Sequence, residues 1–155
     1  MLNNDEQKAI REKVGQLNKV KKGILSPQAL AIMIKKRRTG WLNKNKDKFF
    51  KKYNHLDDVE KAYYIIFFEH MKINPEHSKM LRHNENRIRI NSYNFCPYLE
   101  ACQELKLDTK FVCKTIGEPS IQSLCKIINP KLKFRRNYNN IRPYNSKYCE
   151  EYIEF

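Results

Sequence analysis

The sequence predicts an α+β fold, with an N-terminal helical part followed by a small antiparallel sheet with intervening helices. Two patterns point to it. Apolar residues keep helical spacing through most of the first half, and a period-two alternation begins at Arg87-Ile88-Arg89-Ile90-Asn91. A third observation marks where chemistry is to be sought: all five cysteines lie after residue 95. The 155 residues fit a single domain, 1–155, read as a basic helical part (1–85) and a cysteine-bearing α+β part (86–155).

Ala9, Ile10, Val14 and Leu17 give a first helix over residues 5–19, with Asp5 as its candidate cap. Gly23 breaks the pattern, and Ser26-Pro27 opens a second helix that runs to the basic end at Arg38. Thr39-Gly40 reads as a turn before a third, basic helix from Trp41 to Tyr53. Asp57 and Glu60 start a fourth, Asp57 to Met71, apolar on most faces and expected at the centre of the core. Asn74-Pro75-Glu76 caps a short fifth helix ending near His83. In the second half, helices are expected over Pro97–Leu105, Asp108–Gly117 and Pro119–Ile128. Strands are expected at 87–91, at 131–135 and from Tyr148 to Phe155.

Hydrophobic residues make up 41% of the chain and aromatics 12%, enough for a packed core. The longest apolar run, Ala62 to Phe68, is far shorter than the roughly 20 residues of a membrane helix. The first residues are polar and acidic, unlike a signal peptide. The expectation is a cytoplasmic protein with no membrane partner.

The formal net charge of +14 attracts polyanions. Lys35, Lys36, Arg37 and Arg38 crowd one segment, with Trp41, Phe49 and Tyr53 nearby for stacking. This supports one reading, a basic binding protein for RNA or a ribonucleoprotein. The other reading is a small anionic ligand or substrate. In that case Arg87, Arg89 or Arg135 holds a carboxylate. The same strand cations can instead pair with Glu150 and Glu154 across the sheet.

Cys96 precedes Pro97 and so falls at a helix N-cap, where backbone amides favour an anion and a thiol is expected to ionise more readily. Cys149 on the last strand and Cys113 on the middle helix are its expected companions. Cys102 and Cys125 read as core residues. No C-x2-C knuckle or iron–sulfur spacing occurs, so no cofactor is expected. A metal bound by Cys96, Cys113 and Cys149 is the alternative. His55, His70, His77 and His83 all precede the cysteines, so a Cys–His pair needs the first-half helices to supply one. Glu100 and Glu118 are candidate carboxylates near the Cys96 helix.

The segment Asn94-Phe95-Cys96-Pro97-Tyr98-Leu99-Glu100-Ala101-Cys102 continues through Leu107-Asp108 and Cys113 to Asn129-Pro130-Lys131-Leu132-Lys133-Phe134. It closes on Tyr148-Cys149-Glu150-Glu151-Tyr152-Ile153. Together these resemble the C-terminal half of the L-2-amino-thiazoline-4-carboxylic acid hydrolase-like family. The resemblance implies a cysteine-dependent hydrolase acting on C–N bonds, opening a ring that contains sulfur and nitrogen. Cys96, Cys113 and Cys149 are the matching positions.

Overall fold

The computed structural model describes all residues, Met1–Phe155, and its architecture is α+β. Helix α1 spans Asn4–Lys21. Its cap is Asn3 rather than Asp5: the Asn3 side chain accepts from the Glu6 amide and Glu6 returns the bond to the Asn3 amide, closing both orphan donors. Ser26 caps α2, Pro27–Lys52, as its Ser-Pro start predicts.

Helix α2 does not stop at Thr39-Gly40. The expected second and third helices form one rod of 26 residues. Gly40 costs only about 1 kcal/mol relative to alanine in a helix. Four buried side chains, Leu30, Ile34, Leu42 and Phe49, hold the rod down on both sides of it. Thr39 donates its hydroxyl to the Lys35 carbonyl at 2.9 Å, so its polar group is satisfied within the rod.

Helix α3, Asp58–Tyr63, continues without a break as a π-helical segment, Tyr64–His70. Asp57 caps it through the Glu60 amide. The expected fifth helix shrinks to one 3-10 turn, Pro75–His77. The next element is a strand, β1 (Ser78–Asn84), which forms a hairpin with β2 (Arg87–Ser92). Its sequence, Ser-Lys-Met-Leu-Arg-His-Asn, has no clean alternation because β1 is an edge strand whose outer residues meet solvent. Arg82 fastens it to α3 by ion pairs of 2.7 Å to Asp57 and 2.8 Å to Glu60.

The rest matches the sequence reading more closely. Helix α4 is Pro97–Leu105. Helices α5 (Thr109–Val112) and α6 (Glu118–Ile128) are joined by a π-helical segment, Cys113–Gly117, into one continuous rod. Pro119 explains the widened turn. It has no amide for the Thr115 carbonyl, and its ring would crowd that carbonyl in a regular helix. The chain loosens by one residue just before it, with the Glu118 amide bonding the Cys113 carbonyl.

Strands β3 (Lys133–Arg136) and β4 (Cys149–Glu154) complete a four-stranded antiparallel sheet in the order β1-β2-β4-β3. Register sorts the side chains. Ile88, Ile153 and Phe134 align in one row and Ile90, Glu151 and Arg136 in the next, with Ser92 opposite Cys149 beyond them. These rows face the helices. The other face carries Arg87, Arg89, Arg135, Glu150, Tyr152 and Glu154. Tyr152 there lies between the Arg87 and Arg135 guanidiniums, 4.4 and 4.2 Å from its ring centre.

Two apolar cores result. One joins the sheet to α3, α6 and the second half of α2, with Phe67, Ile88, Leu124 and Ile153 fully covered. The other lies among α1, the start of α2, α4 and α5, around Leu17, Leu30 and Cys102. No helix is long and apolar enough to cross a membrane. Leu124→Ala should cost about 2–5 kcal/mol by denaturant unfolding, because its site is closed on all sides. Leu81→Ala, at a side chain 42% exposed on the edge strand, should stay within about 0.5 kcal/mol.

Candidate functional site

Where the two cores meet, the helices and the sheet leave a cavity of about 270 Å³. Phe67 and Ile73 from the first core and Tyr98 from the second form part of its wall. Cys96, Cys113 and Cys149 all line it. The sequence expected these three thiols to converge, and the geometry brings them together. Cys102 and Cys125 are fully buried in the second and first cores respectively.

Each thiol arrives by a different device. Cys96 is the N-cap residue of α4, ahead of Pro97. Cys149 begins β4 directly across from Ser92. Cys113 opens the π-helical segment before Pro119. The other π-helical segment ends at His70, which lines the same cavity. π-Turns are rare and recur at functional sites. Both of those present here contribute side chains to this one cavity.

The ionisation expected for Cys96 is reversed. Burial pushes its pKa up, and the Leu99 amide, Arg136 and Arg142 pull only partly the other way. Burial pushes Cys113 to about 12 against the pull of Arg136. In the free protein at neutral pH, both are thiols. The N-cap dipole is outweighed by loss of water around the sulfur.

The cations at the cavity are not the ones the sequence suggested. Arg87, Arg89 and Arg135 lie on the far face of the sheet. Arg87 and Arg135 pair there with Glu154 at 3.3 and 2.9 Å. This is the alternative in which strand charges satisfy one another. The cavity is instead lined by Lys13, Arg37, Arg38, Arg136 and Arg142. Its one carboxylate is Glu151, buried and bonded by Arg136 Nε at 2.8 Å and Ser92 Oγ at 2.6 Å. Gly117 makes room for this pair: a Cβ there would sit 3.1 Å from Arg136 Nη1. Glu100 and Glu118 do not reach the cavity, and Glu118 accepts from the Tyr138 hydroxyl instead.

Arg38 comes from α2 and donates to Ser120 Oγ at 3.1 Å. Arg142 comes from the loop between β3 and β4 and donates to the Asn94 carbonyl at 2.6 Å. Neither has a carboxylate partner within ion-pair distance, whereas Arg37 at the rim pairs with Glu12 at 2.8 Å. Two buried polar atoms at the cavity lack any partner, the Tyr98 hydroxyl and Arg142 Nε. The sequence does hold a signal for Arg136: in β3 it alternates with Arg135, so one of the two has to point inward. Arg38 and Arg142 carry no such signal.

The residues named for nucleic-acid binding are scattered. Lys35 and Lys36 are exposed, but Arg38 turns into the cavity. Trp41 packs on His70 and Phe49 with ring centres 4.5 and 5.5 Å away. Phe49 is buried, and Tyr53 donates to Glu69 at 2.7 Å. The rings expected to stack on bases are occupied within the fold. No group of three or more His, Cys, Asp or Glu side chains is placed to hold a metal ion, so metal binding by Cys96, Cys113 and Cys149 gains no geometric support. A larger open cleft beside Lys126, Lys131 and Phe155 contains no thiol. No family model, curated protein or solved structure matches the chain.

His70 supplies a pH test. Burial, and then Arg38, Arg37 and Lys72, push its pKa from 6.5 down to about 4. The folded protein therefore resists a proton that the unfolded chain accepts. Stability should fall as pH drops from about 6.5 to about 4, by on the order of 2–3 kcal/mol. Urea unfolding across that range should show the slope in the wild type and a flatter one in His70→Gln. An equal slope in both would place the effect elsewhere.

Proposed function

We propose that the protein is a cysteine-dependent hydrolase, or a ligand-binding relative of one, for a small anionic molecule held in this cavity. The observation that carries the reading is the convergence of three thiols and unpaired arginines on one cavity. Ligand pockets of this kind pair apolar walls with a few placed polar groups and usually enclose roughly 300–1,000 Å³. The volume here suits a ligand of small-metabolite size. The segments resembling the L-2-amino-thiazoline-4-carboxylic acid hydrolase-like family contain all three of these cysteines, which supports hydrolysis at a C–N bond.

In this reading Cys96 is the nucleophile, set at a helix start with Cys149 and Arg142 near its sulfur. The sulfur bonds to the electrophilic carbon and the C–N bond breaks. The nitrogen leaves with the electron pair and takes the thiol proton. Water then cleaves the C–S bond, and its proton restores the thiol. His70 lines the same cavity and is neutral at pH 7. Arg38 and Arg142 take over the substrate-holding role that the sequence assigned to Arg87, Arg89 and Arg135. The occupied rings of Trp41, Phe49 and Tyr53 weigh against nucleic-acid binding as the main activity.

The test is turnover of 2-aminothiazoline-4-carboxylate and related ring carboxylates. Cys96→Ser should retain its melting temperature and lose more than about 100-fold in kcat/KM. Wild-type kcat/KM should keep rising above neutral pH, because burial holds the thiol protonated there. Undiminished turnover in Cys96→Ser would remove the reading.

A further inference from the structure

Three tyrosines are buried, and the fold serves two of them. The Tyr63 hydroxyl shares a hydrogen bond with Ser78 Oγ at 2.9 Å, and the Tyr152 hydroxyl donates to Glu150. Tyr98 is the third, 8% exposed, and its hydroxyl has no partner. A buried hydroxyl without an acceptor costs free energy, and buried tyrosines usually find one. Tyr98 lines the cavity, so the acceptor can come from a bound molecule.

The surroundings point to the kind of acceptor. Tyr98 stands on α4, and α1 packs alongside it. Lys13 of α1 places its Nζ 4.9 Å from the Tyr98 ring centre and lines the same cavity. Lys13 is buried too, and its ammonium is weakly held. Its bonds to Glu12 Oε1 and Gln16 Oε1 are 3.4 and 3.3 Å long, and Arg37 takes that same Glu12 oxygen at 2.8 Å. The only carboxylate lining the cavity, Glu151, is engaged by Arg136 and Ser92. This corner therefore offers a neutral donor beside an ammonium and lacks an anion. Burial raises the Tyr98 pKa to about 12, so the hydroxyl keeps its proton near neutral pH.

Resting on the cavity's role as the substrate site, we infer that the Tyr98 hydroxyl donates to the substrate's carboxylate and sets a preference for ring acids over uncharged rings. The ring acid of the hydrolase reading carries one carboxylate, the strongest acceptor it has. A hydrogen bond to a charged group is stronger than one between neutral groups, so Tyr98 discriminates sharply against a ligand that lacks the carboxylate. The cavity's guanidiniums supply charge to the same anion, and Tyr98 adds a donor at the α1–α4 wall. Tyr98 takes no part in the bond-breaking steps, so its role is to set specificity.

Calorimetric titration of the full chain with 2-aminothiazole-4-carboxylate and 2-aminothiazole tests this. The two share an aromatic ring that resists hydrolysis and differ by the carboxylate, so binding is read without turnover. The wild type should bind the carboxylate about tenfold or more tighter than the bare ring. Tyr98→Phe should weaken the carboxylate by about tenfold and leave 2-aminothiazole within about twofold. The free variant should keep or raise its melting temperature, because the hydroxyl it lacks had no partner. Equal weakening of both ligands, undiminished carboxylate binding, no carboxylate binding to the wild type, or a clear loss of stability in free Tyr98→Phe would each overturn the inference. The hydrolase reading fails separately. A Tyr98-dependent carboxylate preference together with full turnover in Cys96→Ser would remove that reading and leave this inference standing. Turnover lost in Cys96→Ser beside an unchanged preference in Tyr98→Phe would do the reverse.

Discussion

The buried ion pair between Arg136 and Glu151 is the constraint on which the cavity depends. Both residues sit on neighbouring strands in one inward-facing row, so the sheet's register alone makes them meet. A buried guanidinium beside an apolar core is tolerated only if its charge and its donors are answered. Glu151 answers the charge, Ser92 occupies the other carboxylate oxygen, and Gly117 leaves the space the guanidinium needs. The pair marks the border in the sheet: rows on one side are apolar and belong to the core, and beyond it lie Ser92 and Cys149 at the cavity. Arg136 lowers the pKa of both Cys96 and Cys113 against the effect of burial, so the pair also helps set the electrostatics of the sulfurs.

A second constraint is helical. Both long buried helical runs, 58–70 and 109–128, contain a widened π-helical segment, and each delivers residues to the cavity. In the second run the cause is visible in the sequence, because Pro119 cannot complete the regular ladder. The outcome is that Cys113 and Gly117 lie on one stretch of backbone, one supplying a thiol and the other clearance for Arg136.

Much of the fold is legible in the sequence because its signals are local. Ser26-Pro27, Asp57 with Glu60, and Cys96-Pro97 start helices where their chemistry says they should. Alternation in β2 and the composition of β4 mark strands. The remaining elements need tertiary information. Gly40 looks like a break until the core on both sides of it is known, and β1 looks helical until its partner strand is in place. The three cavity cysteines are readable as helix-start, mid-helix and strand positions. Their arginines are not: Arg38 looks like part of a surface charge run, and Arg142 like loop. Their roles depend on where α2 and the β3–β4 loop pack. The chemistry is therefore not confined to the cysteine-bearing half, since Arg38, Phe67 and His70 come from the helical one.

Alkylation rates test most directly whether Cys96 faces a cationic cavity with a protonated thiol. Iodoacetate and iodoacetamide present the same electrophile, one as an anion and one neutral. Peptide mass mapping of the native protein after brief exposure to each should find Cys96 modified faster by iodoacetate, reversing the order shown by the unfolded chain. The rate should climb as pH rises toward and past 9, the ordinary value from which burial has raised the thiol. A faster reaction with iodoacetamide, or a pH midpoint below 9, would contradict the account.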